Sequence, residues 1–270
     1  MRASLGRAVV IENVSGASGS VGTGRAARAA ADGYTLGLGG WVTHVINGAV
    51  YPLQYDVLND FDPVSLIAAQ PLLIIARKTM PASNLQELID WLKANPGEGL
   101  QGTVGRGGAS RVAGVFFQRE TGTRYQFVPY PGTGIRNLMA GRIDFMIDLA
   151  TNSLPQVRAG TIKVYAVTAE KRLAAAPDIP TVAEAGLPKL QVTSWSALYA
   201  PRGAPKEVIA TLNAAVVDAL ANPAVRTRLA DLGQEIFPRE LQTPEALSHY
   251  HKAEIEKWWP ILKAAGIKAK

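Results

Sequence analysis

Two short glycine-rich runs carry the residue types best suited to holding a ligand. Gly105-Arg106-Gly107-Gly108-Ala109-Ser110 follows the apolar run Gln101–Val104 and opens onto a helix-like segment, Val112–Glu120. Pro131-Gly132-Thr133-Gly134 follows Phe127–Val128 and opens onto Ile135–Ala140. Glycine lets successive backbone N–H groups turn toward one point, and the start of the next helix adds partial positive charge. At the carboxyl ends of neighbouring strands, two such turns make an anion-sized crevice. The chemistry this predicts is retention of a small carboxylate without reaction. Asp148 ends a third apolar run, Phe145–Ile147, ahead of the polar turn Leu149–Ser153. Two readings fit it: it accepts from a ligand hydroxyl or ammonium, or it caps a short helix near Ser153–Ala159.

A further glycine-led turn, Gly39-Gly40-Trp41-Val42-Thr43-His44, precedes a helix predicted from Thr43 to Val50, with Thr43 placed as its N-cap. Here His44 either meets a ligand at the helix start or is a polar residue of the first turn. The segment Asn13–Gly24 is glycine- and serine-rich and follows a strand-like run, which is the outline of a dinucleotide fingerprint. The acidic residue that should close the next strand is missing, because Asp32-Gly33 is a turn before Tyr34–Leu38.

Catalytic equipment is sparse. The chain has three histidines and no cysteine, and contains no His-Glu-x-x-His, Gly-x-Ser-x-Gly or Gly-x-x-x-x-Gly-Lys-Ser/Thr pattern. His249 and His251 are two apart and point to different helical faces, so they do not share a metal. Acidic residues stand singly. Binding is therefore favoured over catalysis, with neither metal nor cofactor.

The elements that must carry these turns are an α/β alternation. Strands are predicted at Ala8–Glu12, Tyr34–Leu38, Phe61–Ala68, Leu72–Ala76, Lys163–Thr168 and Val192–Ala200, with a turn at Gln70-Pro71 between the third and fourth. A helix is predicted over Arg25–Ala31. Ser83 and Gln86 have capping-box spacing ahead of a helix with Leu85, Leu88, Ile89 and Leu92 on one stripe. Thr181 and Glu184 form a second box. Pro205, Pro223 and Pro244 sit near helix starts, where a missing N–H costs nothing. In the last helix, Leu247–Ala264, Trp258 and Trp259 are expected to dock on the core.

At 270 residues, 47% apolar and 19% charged, the chain has the composition of one large or two moderate globular domains. No apolar run reaches the ~18 residues of a membrane span. The net charge of +6 is dispersed, which gives no nucleic-acid footprint but suits an anionic ligand. Met1–Arg7 reads as the last turns of a helix rather than a signal peptide.

The residues resemble the periplasmic solute receptors of the tripartite tricarboxylate transporters, the TctC-like or Bordetella-uptake-gene family. The resemblance is carried by Val10-Ile11-Glu12-Asn13, Asp32-Gly33-Tyr34-Thr35-Leu36, His44-Val45-Ile46-Asn47 and Asp60-Phe61-Asp62-Pro63-Val64-Ser65-Leu66. It continues through Val128-Pro129-Tyr130, Ala140-Gly141-Arg142-Ile143-Asp144, Ser153-Leu154-Pro155, Ala166-Val167-Thr168 and Pro177-Asp178-Ile179-Pro180-Thr181. Ser194-Trp195 and Ala200-Pro201 follow, so nearly the whole chain is covered. The resemblance implies a type II periplasmic-binding-protein-like fold with two α/β domains joined by two hinge strands. Domain one would be 1–76 plus 197–270, and domain two 77–196, with a ligand between them. The family's binding positions fall on Trp41, Thr43 and His44, and on Gly107, Gly108, Ala109, Ser110, Arg111, Gly132, Thr133 and Asp148.

This sequence departs from the family pattern in three places. The family's first strand-loop-helix unit is missing ahead of Met1. The first loop of domain two usually runs Gly-Ser-x-Gly-x-Gly with a later His; here Val104 and Arg111 stand instead, and Arg111 adds a guanidinium that can fork onto a carboxylate. The turn at Thr133-Gly134-Ile135 is shorter than usual. The function implied is capture of a small organic anion, a mono- or dicarboxylate, by a monomer. Delivery would be to the membrane permease subunits of the transporter, from the periplasm, with the signal peptide removed or upstream of this start. Two alternatives stay open: a cytoplasmic ligand-sensing module of the same fold, and an NAD(P)-dependent reductase using Gly16–Gly22.

Overall fold

A computed structural model of the chain describes residues 1–105 and 107–267. Arg106, in the first glycine run, lies outside the described residues. From the amino end the elements are α1 (Arg2–Leu5), α2 (Ser20–Ala27), β1 (Gly37–Gly40), α3 (Asn47–Val50) and β2 (Phe61–Arg77). Next come α4 (Leu85–Ala94), β3 (Leu100–Val104), α5 (Ala109–Thr121), β4 (Gln126–Tyr130), α6 (Ile135–Met139) and β5 (Phe145–Leu149). Then follow α7 (Ala150–Arg158), β6 (Ile162–Val167), β7 (Thr193–Pro201), α8 (Lys206–Ala221), α9 (Pro223–Asp231), β8 (Glu235–Ile236) and α10 (Pro244–Ala264).

Two compact units divide this chain. Unit 1 comprises Met1–Ala69, Trp195–Leu229 and Glu235–Lys270; unit 2 comprises Gln70–Ser194 and Ala230–Gln234. The division thus falls earlier in β2 than residue 76, and it places 230–234 with unit 2.

In unit 2 the sheet runs β6-β2-β5-β3-β4, with β4, β3 and β5 parallel and the second half of β2 antiparallel to β5 and β6. Each parallel strand leads into a helix: β3 into α5, β4 into α6, β5 into α7. The apolar stretches Leu72–Ala76 and Phe145–Ile147 are wholly buried, as strands covered on both faces must be. Leu73, Ile75, Leu138, Met146 and Leu154 form the core of one face. In unit 1, β1 pairs antiparallel with β7, and β8 pairs with the first half of β2. Val64, Leu198 and Ala200 pack there under Leu212, Val216 and Leu220 of α8.

Three local expectations change. Phe61–Ala68 and Leu72–Ala76 are one strand, uninterrupted at Pro71. Ala68 and Ala69 pair with β8, and Leu72 onward pairs with β5, so the residue without an N–H sits where the strand exchanges partners. Ala8–Glu12 is not a strand: Val10 is 86% and Ile11 82% exposed, and no ladder runs along it. A β-prone segment without a neighbouring edge does not form a strand. The Gly16–Gly22 turn therefore lacks the strand of a dinucleotide fingerprint, which removes the structural basis of the reductase reading. Lastly, the capping box of α4 is Asn84 with Glu87 rather than Ser83 with Gln86. The Asn84 side chain accepts from the Glu87 N–H at 2.9 Å, and the Glu87 carboxylate accepts from the Ser83 N–H at 2.7 Å. The box at Thr181 and Glu184 forms as spaced, with bonds of 2.7 and 3.1 Å.

Candidate ligand-binding site

The parallel arrangement of β4, β3 and β5 collects three strand ends, and the turns that follow them, along one edge of unit 2. The first turn is tightly built around a glycine. Gly108 is the N-cap of α5, with extended backbone, and a side chain there would overlap the Val104 carbonyl oxygen. Gly107, Gly108, Ala109 and Ser110 are buried. The Ser110 hydroxyl accepts from the Val104 N–H at 2.8 Å, and the Ser110 carbonyl accepts from Gln101 Nε2 at 2.9 Å. The Gly105 N–H bonds to the Tyr130 carbonyl at 3.0 Å, tying the first turn to the end of β4.

Arg111 lies in the first turn of α5. Its guanidinium carbon sits 3.6 Å from the centroid of the Phe127 ring, and its charge is felt at the buried Tyr125 hydroxyl. Cation–π stacking fixes the plane of the guanidinium. Gly132 and Thr133 are exposed. The Thr133 hydroxyl accepts from the Ile135 N–H at 3.4 Å and is hydrogen-bonded to Asp148. Asp148, 2% exposed, also accepts from Asn152 Nδ2 at 3.2 Å and Ser153 Oγ at 3.3 Å, both in the first turn of α7. Burial pushes its carboxyl above the usual carboxylate range; the hydrogen bonds from Asn152, Leu149, Ser153 and Thr133 oppose that shift. The carboxylate is thus held by two side chains of the first turn of α7, whose own N-cap is Leu149.

In unit 1 the turn around Thr43 differs from its sequence reading. Residues Trp41–Ile46 form a turn of π-helix that continues into α3, and its N-cap is Gly40, not Thr43. Thr43 occupies the third helical position, and its hydroxyl reaches back to accept from the Gly40 N–H at 3.1 Å. Gly40 has φ +156°, and a side chain there would overlap the Trp195 carbonyl. The leading N–H groups of such a turn have no partner within it. Trp41 is fully buried, edge-on to Trp258 at 4.9 Å.

His44 is 0% exposed, stacked on Tyr199 at 4.0 Å and edge-on to Phe61 at 4.7 Å. Its Nδ1 lies 2.9 Å from the Thr43 hydroxyl. Burial, and then the neighbouring His251, hold the His44 imidazole well below its usual value. Its Nδ1 is engaged within the turn, while its buried Nε2 has no hydrogen-bond partner.

Residues with no local signal complete this turn. Tyr55 donates to the Thr43 carbonyl at 3.1 Å, His251 Nε2 to the His44 carbonyl at 2.7 Å, and Trp259 Nε1 to the Val45 carbonyl at 2.9 Å. Two of these donors lie on α10, about two hundred residues downstream, where no spacing rule reaches. The expectation that Trp258 and Trp259 both dock on the core holds for Trp258 only: Trp259 is 36% exposed and is tied to the turn by its indole N–H.

Three parallel strands of a mixed α/β sheet, with the turns after them gathered at one edge, place a ligand crevice at the carboxyl ends of those strands. The chain matches the family model described as tripartite tricarboxylate transporter family receptor over residues 1–267, and it belongs to that family. MatC (Rpa3494) from Rhodopseudomonas palustris, solved with bound malate, is similar at 37% identity and TM-score 0.90, over 97% of this chain and 90% of that one. Rpa4515 of R. palustris, solved with adipate, is similar at 33% identity and TM-score 0.92, over 99% and 90%. The periplasmic binding protein BugD is similar at 34% identity and TM-score 0.92, over 99% and 90%. The fold is that of a type II periplasmic binding protein. The chain is a solute-binding receptor rather than an enzyme.

Proposed function

We propose that this receptor captures a small mono- or dicarboxylate in the periplasm and hands it, unaltered, to the membrane permease subunits of a tripartite transporter. In unit 2, the amides of Gly107, Gly108, Ala109, Ser110, Gly132 and Thr133 would hold the carboxylate, with Arg111 as charge partner and Asp148 orienting the second turn. In unit 1, Trp41 and Thr43 would offer the amides of the π-turn to the same class of anion, and His44 would set the shape of that turn. The observation that carries this reading is the turn at Gly108, where a side chain would overlap the Val104 carbonyl oxygen, so that only glycine fits between β3 and α5. Malate and adipate in similar proteins support the ligand class.

Calorimetric titration with a series of linear and hydroxylated mono- and dicarboxylates tests it. Micromolar binding of at least one acid is expected, accompanied by loss of binding in Gly108→Val. Failure of every acid in the series to bind would end the proposal.

A further inference from the structure

Three successive carbonyls of the π-turn, those of Thr43, His44 and Val45, accept hydrogen bonds from side chains outside it. A carbonyl accepts and never donates, so His251 must carry its proton on Nε2. The ring of His251 is 5.8 Å from that of His44 and 5.8 Å from that of Tyr199. Within this cluster the two imidazoles face each other, the Tyr199 hydroxyl of β7, the Thr43 hydroxyl and the Phe61 ring of β2. On α10, Lys252 adds a positive charge beside His251. Glu254, one turn on, accepts from the indole N–H groups of Trp195 at 3.1 Å and Trp258 at 3.2 Å. Both indole bonds fall on one carboxylate oxygen, and the other lies 4.0 Å from Lys257 Nζ.

We infer that His251 is a positioning residue for the Trp41–Ile46 turn, and that with His44 it forms a latch holding the turn only while both imidazoles are neutral. A proton on either ring puts a cation among aromatic faces and against a second imidazole. Such burial of an unpaired charge is costly. Burial lowers the proton affinity of both rings; at His251 the bond to the His44 carbonyl opposes that shift without reversing it. The sign follows. Folded pKa values below the ordinary 6.5 mean the unfolded turn binds protons first, so stability is full above 6.5 and is lost as pH falls through and below it. That the turn serves a carboxylate site rests on the function proposed above; the latch itself does not.

Hydrogen exchange of the ligand-free protein, corrected for intrinsic rates, separates the two questions. Protection across Trp41–Asn47 is expected to fall by tenfold or more between pH 7.5 and 5, while that of Phe145–Leu149 in unit 2 holds. His251→Ala should lose about tenfold at pH 7.5, and His251→Gln, which keeps an N–H donor but no titrating ring, should restore it and blunt the acid response. Imidazole NMR titration of the unmodified protein gives a check that needs no variant. Either ring titrating near pH 6.5 with the turn still protected would overturn the latch, as would unchanged protection in His251→Ala or equal acid loss in both units. No carboxylate is present in these measurements, so their failure leaves the proposed function standing, and an acid series that fails to bind leaves the latch standing.

Discussion

The Val104 N–H donates across 2.8 Å to the hydroxyl of Ser110, so the last amide of β3 is held by the first turn of the helix that follows it. The strand end and the helix start are locked as one piece, with Gly107 and Gly108 arched between them. Ser110→Ala leaves that amide without its partner, at a cost of about 1–3 kcal/mol. Chemical denaturation should register that loss. A midpoint equal to that of the unmodified protein would mean the bond contributes nothing.

Gly108→Ala probes the same arch from the other side. A methyl group there meets the Val104 carbonyl oxygen, which is backbone and cannot swing away. Strain of ~1–3 kcal/mol is expected, with carboxylate affinity reduced more than tenfold as the amides are displaced. Thermal melting and calorimetry, run together, distinguish strain from blocked access. Unaltered affinity would show that the arch is not used.

Arg111 is pinned over Phe127, so its guanidinium plane is set before any ligand arrives. Arg111→Ala is expected to weaken carboxylate binding more than tenfold, and Arg111→Lys to recover only part, because an ammonium lacks the planar fork. A dissociation constant that does not move in Arg111→Ala discards the charge-partner role.

Asp148 gives a pH test in unit 2. Its carboxyl is raised by burial, so the folded state binds the proton more readily than the unfolded one. The ionised form therefore opposes folding above the raised pKa, and that penalty disappears as pH falls toward the ordinary 3.8. Asp148→Asn keeps an acceptor for Asn152 and removes the charge. The variant's stability relative to the unmodified protein should be greatest above the raised pKa and decline as pH falls toward 3.8. A relative stability rising on acidification would show that the carboxylate is net stabilised by its hydrogen bonds.

Much of this architecture is legible in local sequence. The stripe Leu85, Leu88, Ile89 and Leu92, the Thr181–Glu184 box and the glycine turns after β3 and β4 each arise from residues a few positions apart, within reach of periodicity and spacing. Asn84 displaced Ser83 as the cap because both are good acceptors, and only the backbone decides which one is extended. Pro71 read as a break because a lone strand would need its N–H; it is tolerated where pairing passes from one neighbour to another. Val10 and Ile11 carried a strand signal that no pairing partner among the described residues fulfils. The π-turn was hidden for a different reason. Its carbonyls are satisfied from α10, and a bond spanning 207 positions, as between His44 and His251, leaves no mark in any window of sequence.

The bare edge of β1 has a practical outcome. Gly37–Gly40 pairs on one side with β7, while Leu38 and Tyr34 point outward near the start of the chain, as do Val10 and Ile11. Exposed apolar side chains on a strand at the edge of a sheet favour pairing between molecules. A lysine introduced for Leu38, which is 71% exposed, is expected to raise solubility in light-scattering trials.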